Sequence, residues 1–538
     1  MNKVSSFFSS VPSSAFVAAR IKYALCALLP LCIVETGVAR PGTSTIMEEA
    51  PLSREQLTDT LLDVGAARKS QELTLEEALQ LARDYSAQSL LAKHRFRASY
   101  WQYQSYKAEF LPSLQLAGNL PDFNKRLVRY QLADGSYQYI SEYSNNMGLS
   151  LSANQRIGWT GTSIFATTSL ERTDIFGERR SSEYMAVPLQ IGVQQSIFGV
   201  NELKWKKRIE PLVYEEARRT YLIDLERISQ EASDLFFECI LSEQRLAMAR
   251  LNRANADTLY KIALGRYNVG TIAENDVLQM ELNYLNAMQS VNTSEVELKL
   301  QQFRLVSYLG LNDSLDWHPV VPREFPIAEI SLDAAQAHAE TAHPDMIAYL
   351  RQEQEAKQRV AQAQEARGFA ANLRASFGLT QRATTLPETY RDPLYQYGAR
   401  LGITVPILDW GKGKGRVKMA QSNLEMTQTT IARAKMEFQQ NLYVQVMRYN
   451  QQRDQLALAA KADTIAQSRY YIAKQRFLIG KIDVLTLDDA QLARDNARTA
   501  YIRAMQSCWS VYFGLRRLTL FDPLSGKELK MELEALVK

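Results

Sequence analysis

A chain of 538 residues is long enough for several domains or one elongated one, and its net charge of +4 points to neither a nucleic-acid partner nor an acidic one. Hydrophobic content is ordinary at 46%, and no low-complexity tract stands out.

Near the N-terminus, Arg20 and Lys22 precede the apolar run YALCALLPLCIV (23–34), with small residues at Gly37 and Ala39. This reads as a secretory signal peptide over 1–39, cut after Ala39. Twelve apolar residues are too few to span a bilayer as a helix. Cys32 ends an apolar stretch as a lipidated cysteine does, but Leu31 stands where a small residue is wanted. Residues 40–72 follow as an N-terminal extension. Cys239 and Cys508 remain in an exported chain and read as packed thiols rather than a disulfide.

Residues 74–111 read as a helix, opened by LTLEEALQLA (73–82) and carrying an aromatic run, Trp101, Tyr103 and Tyr106, suited to core packing. Next, SLQLAG (113–118), MGLSLSA (147–153), SIFATTSL (163–170) and VPLQIGVQQSIF (187–198) alternate as strands do. The stretch 147–172 either adds strands to a sheet or forms an outer loop. No Pro or Gly occurs from 212 to 264, so a long helix is expected over 201–265. Its stripe Leu222, Leu225, Ile228, Ala232, Leu235 and Cys239 steps by three or four. Gly270 ends it, and a return helix spans 274–309.

LNDSLDWHPVVPREFPIAEI (311–330) contains Pro319, Pro322 and Pro326 and reads as an irregular linker. Helices follow at 332–368, then alternating strands at 373–379 and 401–408. The next Pro- and Gly-free window, 416–479, is 64 residues, roughly 96 Å of helix at about 1.5 Å per residue. The helix is expected over 413–475, with a turn at Gly480 and a return helix over 484–514. The tail, 519–538, is expected to pack beside the linker.

The two halves are related. RYNVG (266–270) matches RFLIG (476–480) at a shift of 210, and the match runs without a gap from about 190 to 290. Tyr260, Ile262 and Ala263 meet Tyr470, Ile472 and Ala473; Leu282, Asn286 and Ala287 meet Leu492, Asn496 and Ala497. LTLEEALQLA resembles ISLDAAQAHA (330–339) at a shift of 257. The chain is therefore an internal duplication whose first half carries about 47 extra residues between these anchors.

With these features in this order, twice, the chain resembles the TolC-type outer membrane efflux protein family. The resemblance covers 73–518 and includes FLPSL (110–114) and PILDWGKGKGR (406–416) at the junctions between helix and strand. It implies a mainly α fold with β: duplicated long helical hairpins forming a periplasmic α-barrel, plus strands contributing to a trimeric transmembrane β-barrel. The first repeat is 73–310, with strands within 113–198 and a hairpin at 201–310. The linker is 311–329, at an equatorial band. The second repeat is 330–518, with strands within 373–408 and a hairpin at 413–515. The implied function is the passive exit duct of a tripartite efflux or type I secretion system. Implied partners are two further copies of the chain, a periplasmic adaptor, an inner-membrane pump and outer membrane lipid. No nucleic acid, cofactor, metal or catalysis is expected.

The resemblance also places functional residues. The hairpin tips, Arg266, Val269, Gly270 and Thr271 with Arg476, Ile479, Gly480 and Lys481, would meet the adaptor. A plain helix-capping glycine in a left-handed turn explains the same pattern. Aspartates six and nine past the turn glycine line the closed entrance in the family. Here those positions give Asp276 in the first half, and Thr486 and Asp489 in the second. Thr486 departs from the pattern and leaves one ring, Asp489, instead of two. Ile482 stands where some relatives have a basic residue, and Lys481 is the substitute. Asp488 lies about 100° round the helix from Asp489 and faces elsewhere. An acidic residue in a first helical turn has a simpler explanation in the helix dipole.

GKGKGR (411–416) lacks the spacing and the Ser or Thr of a phosphate loop. His94, His318, His338 and His343 are not at metal-ligand spacing. A periplasmic adaptor would show one hairpin between lipoyl-like halves, and a coiled-coil scaffold would not need strands before each long helix.

Overall fold

The computed structural model describes residues 70–177, 180–311, 316–322, 325, 328–479, 481–482 and 484–531. The signal-like segment, Cys32 and the extension up to residue 69 lie outside these, as does Gly480.

The chain opens with a short strand β1 (Ser70–Leu73), then α1 (Leu75–Tyr85) and α2 (Ala87–Ala108). The expected single helix over 74–111 is therefore two. Ser86 is extended and serves both as the C-cap of α1 and as the N-cap of α2, its hydroxyl accepting from the Ser89 amide at 3.1 Å. A serine that offers the backbone this alternative breaks a helix without Pro or Gly. Thr74 and Glu77 close a reciprocal capping box at the start of α1. Trp101 is 59% exposed, so it does not join a core, whereas Tyr103 stacks on Tyr214 with ring centroids 4.6 Å apart.

Four strands follow: β2 (Ser113–Gln131), β3 (Tyr137–Ile157), β4 (Thr162–Phe176) and β5 (Ser181–Ile197). They lead into α3 (Glu202–Asn268) and its return helix α4 (Glu274–Leu309). The linker is not wholly irregular: β6 (Asp316–Pro319) pairs in parallel with β1, and Phe325 is buried. The second half comprises α5 (Leu332–Ala342), α6 (Pro344–Arg367), β7 (Ala370–Ala383), β8 (Leu394–Thr404), α7 (Lys412–Leu478) and α8 (Val484–Thr519). Two short strands, β9 (Phe521–Asp522) and β10 (Lys527–Glu528), pair in the tail. Strand β8 stops at Thr404, short of the expected 408.

The duplication is written in the element bounds. Helices α3 and α7 are both 67 residues, α4 and α8 both 36, and each pair is displaced by 210. Helices α1 and α5 are both 11 residues, displaced by 257. The change of shift lies between strands. The second half has one strand pair where the first has two, so the extra residues build the hairpin β3–β4. The stretch 147–172 is sheet, not loop.

All six long strands form one antiparallel sheet in the order β2-β3-β4-β5-β7-β8. The sheet is open. Neither β2 nor β8 has a partner on its outer edge among the described residues.

The helical hairpins share a core. Ile228, Ala232, Phe236, Phe237 and Ile240 of α3 pack with Ala78 and Ala82 of α1, Leu305 and Leu309 of α4, and Ile502 and Met505 of α8. A second cluster joins Phe438, Leu442, Val446 and Tyr449 of α7 to Tyr512 and Phe513 of α8, and to Phe325 of the linker. Phe521 and Leu524 of the tail pack on that cluster, as expected of a tail beside the linker. Cys239 and Cys508 are free, buried thiols.

Candidate functional site

The sheet has two chemically distinct faces. Cross-strand partners share a face, so the register can be followed from edge to edge. One row runs Leu114, Ala153, Ala166, Ile191, Phe377, Tyr397. The adjacent row, on the opposite face, runs Gln115, Ser152, Thr167, Gln190, Gly378, Gln396. The apolar face is open to its surroundings: Leu114 is 70% exposed and Tyr397 82%. An extensive exposed apolar surface backed by a polar one, on strands of 11 to 21 residues, matches the dyad pattern of strands between lipid and a watery lumen. Among the described residues no helix is long and apolar enough to cross a membrane.

From this sheet the two helical hairpins extend. At about 1.5 Å per residue each 67-residue helix reaches roughly 100 Å. The strand-to-helix junction before α7 is a cap: the Asp409 carboxylate accepts from the amides of Gly411 at 3.0 Å and Gly413 at 2.7 Å. GKGKGR thus starts a helix.

The far ends repeat one another. Gly270 adopts φ +74°, and its amide donates to the Tyr267 carbonyl at 2.8 Å. The Thr271 amide donates to the Arg266 carbonyl at 2.9 Å, and the Lys481 amide to the Arg476 carbonyl at 2.9 Å. These two bonds are the same 6→1 closure of a Schellman turn, 210 residues apart. Both turns present an apolar side chain outward, Val269 at 79% and Ile479 at 66% exposure. Arg266, Arg476 and Lys481 are exposed as well.

The acidic residues near the tips differ in their partners. Asp276 sits in the first turn of α4, where its carboxylate accepts from the Ala273 amide at 3.4 Å. It therefore caps the helix. Asp489 is exposed and ion-paired with Arg469 of α7. Thr486 lines a shallow groove with Arg469, Arg476 and Ile482. Asp488 points away from Asp489 and lines a groove between the two tips, opposite Arg266 and Asp276.

A polar network that sequence reading did not anticipate ties the hairpins together above the tips. Asn252 of α3 donates to Asp495 at 2.9 Å and accepts from Arg494 at 3.0 Å, both on α8. Asn255 donates to the Tyr470 hydroxyl at 2.8 Å and accepts from Lys474 at 3.0 Å, both on α7. The Arg494 guanidinium lies 4.0 Å over the Tyr470 ring. The one available signal was Tyr470 itself, matched by Tyr260 across the duplication.

Residues 328–519 match the family model described as outer membrane efflux protein. No curated protein matches the chain. The fold is similar to the CmeC outer membrane channel of Campylobacter jejuni, with a TM-score of 0.61 at 15% identity over 86% of this chain and 88% of that one. It is similar to the outer membrane protein VceC of Vibrio cholerae (TM-score 0.59, 14% identity, 85% of this chain and 97% of that one). It is also similar to the MtrE channel of Neisseria gonorrhoeae, solved in its open state (TM-score 0.54, 13% identity, 83% and 88%).

Proposed function

We propose that this chain, whose residues 328–519 match the outer membrane efflux protein family model, is the exit duct of a tripartite efflux or type I secretion system. It lies in the outer membrane, with its long hairpins in the periplasm, and conducts substrate passively. The carrying observation is the open six-stranded sheet with an exposed apolar face and two unpaired edges. Unpaired strand edges are not tolerated in lipid, and six strands are too few to close a membrane barrel, which needs about eight. Other copies must therefore supply the missing edges.

Three copies of six strands make eighteen, an even number within the range of such barrels and wide enough for an aqueous channel. The β8 edge of one copy pairs with the β2 edge of the next, the polar face lines the lumen, and the apolar face meets lipid. The hairpins close into one tunnel on the same axis. Met426, Met436, Leu458, Ile465 and Ile472 along α7 are each more than half exposed, as a helix awaiting neighbours would be.

The tips close the tunnel and receive a periplasmic adaptor, through which an inner-membrane pump supplies the energy. Val269 and Ile479 are the apolar knobs of that contact, held outward by the two Schellman turns, with Gly270, Thr271, Lys481, Arg266 and Arg476 beside them. Asp489, repeated three times around the axis, is the acidic ring of the entrance, with Arg469 as its resting counter-ion. Thr486 contributes no charge, and Asp276 acts chiefly as a cap.

Single-channel recording in planar bilayers tests this reading. The full chain should conduct with a preference for cations, and Asp489→Asn should weaken that preference several-fold. A chain without conductance, or a variant with unchanged selectivity, contradicts the duct or the ring respectively.

A further inference from the structure

The hairpin β2–β3 is taller than the rest of the sheet. Strand β4 pairs with β3 only from Tyr143 onward, so residues 137–142 pair with 126–131 alone. Six pairs at about 3.4 Å carry this two-stranded ribbon roughly 20 Å beyond the other strands. It does so at the end of the sheet away from the helices.

The ribbon continues the apolar face of the sheet, because the odd-numbered residues of β3 stay on that face throughout: Leu151 and Leu149 below, Tyr143, Tyr139 and Tyr137 above. Opposite them stand Lys125, paired with Tyr143, Leu127, and Arg129, paired with Tyr139. Tyr139 is 68% exposed and Leu127 73%. The Arg129 guanidinium lies 3.5 Å over the Tyr137 ring, and Lys125 lies 5.8 Å from the Tyr143 ring. Among the described residues, the two strands of the ribbon carry no acidic residue on this face; Asp134 sits in the turn at its tip, where its carboxylate accepts from the Ser136 amide at 2.9 Å and hydroxyl at 2.7 Å. Glu142 is on the other face, paired with Arg126 at 3.4 Å. Just below the ribbon, Asp174 is neutralised by Arg172 at 3.0 Å.

We propose that this face docks on the phosphorylated sugar headgroups of glycolipid in the outer leaflet. The inference rests on the membrane reading above. The apolar strand face gives way to one level where tyrosines and cations stand in the same cross-strand pairs, Tyr143 with Lys125 and Tyr139 with Arg129, the mixed aromatic and cationic chemistry of a surface at the boundary between hydrocarbon and anionic headgroups. The two cations answer phosphate. The exposed phenol rings offer flat faces to sugar rings and hydroxyls to their oxygens, which a phospholipid headgroup does not use.

The test titrates the detergent-solubilised full chain with fluorescent diphosphoryl lipid A in mixed micelles, and separately with fluorescent phosphatidylglycerol at matched charge, reading anisotropy. Lipid A should bind at least tenfold tighter than phosphatidylglycerol. K125Q/R129Q should lose roughly tenfold or more of the lipid A affinity, while R126Q, on the opposite face, should bind as wild type. Equal binding of the two lipids overturns the sugar component, and an unaffected double variant overturns the site. Flotation of the unmodified chain with phosphatidylcholine vesicles checks the premise separately. If the chain floats but does not discriminate lipid A, only the docking inference fails. If it does not float, the membrane reading falls and takes this inference with it.

Discussion

Glu226 is a buried carboxylate held between two arginines in the helical region. It is almost fully buried in α3, and Arg83 of α1 and Arg516 of α8 donate to its Oε1 at 3.1 and 3.0 Å. Burial pushes its carboxyl up, against the pull of the Arg516 and Arg83 guanidiniums. Glu226→Ala would leave two guanidiniums facing each other and should cost about 3–5 kcal/mol, seen as a lower urea midpoint of the helical signal. Replacing the pair together, Glu226→Leu with Arg516→Met, should recover much of that loss; a double variant as unstable as the single one contradicts the ion-pair account. Asp234 works in the other direction. Burial raises its carboxyl from 3.8 to about 6, so the folded state binds the proton more tightly than the unfolded one. Its charge therefore opposes folding at pH 7, and that penalty is relieved as pH falls through 6 towards 4. Asp234→Asn should raise the thermal midpoint at pH 7 and leave it nearly unchanged at pH 4. Equal shifts at both values contradict the assignment. Neither group stood out in the sequence, because Arg83 and Arg516 lie far from Glu226 along the chain and burial has no local signature.

Elements were more legible than contacts. Two long windows free of Pro and Gly marked the bodies of both long helices, and the expected spans 201–265 and 413–475 fell within a few residues of the observed ends, although Pro211 and Gly265 lie inside the first helix. The constant shift of 210 placed the return helices too. What escaped was set by single side chains or by tertiary pairing: the break at Ser86, the extension of β2 and β3 beyond their apolar cores, and the pairing of β6 with β1. Asp276 and Asp489 could be located near the tips from the turn glycines alone. Their partners, the Ala273 amide and Arg469, emerged only with the fold. The two faces of the sheet give the test at this scale. Leu401→Arg, on the apolar face of β8, should cost about 2–4 kcal/mol if that face meets the middle of a bilayer, reducing the SDS-resistant oligomer in outer membranes. Gln396→Arg, on the polar face of the same strand, should be tolerated. Equal tolerance of both would mean that the apolar face does not meet lipid.

At the scale of the whole molecule, one chain is an incomplete object. Among the described residues its sheet has two open edges, and its long helices carry exposed apolar side chains. The duplication explains the economy: each half supplies one helical hairpin and at least one strand pair, and the first adds β3–β4 to widen the sheet. The general architecture was legible because periodicity and repeat spacing are local properties. Closure by other copies is not local, and it follows from the cost of bare strand edges in lipid. The most direct test is membrane fractionation followed by mass determination in mild detergent. The account predicts an outer membrane particle containing three chains. A soluble monomer, or a particle of the inner membrane, contradicts the shared barrel.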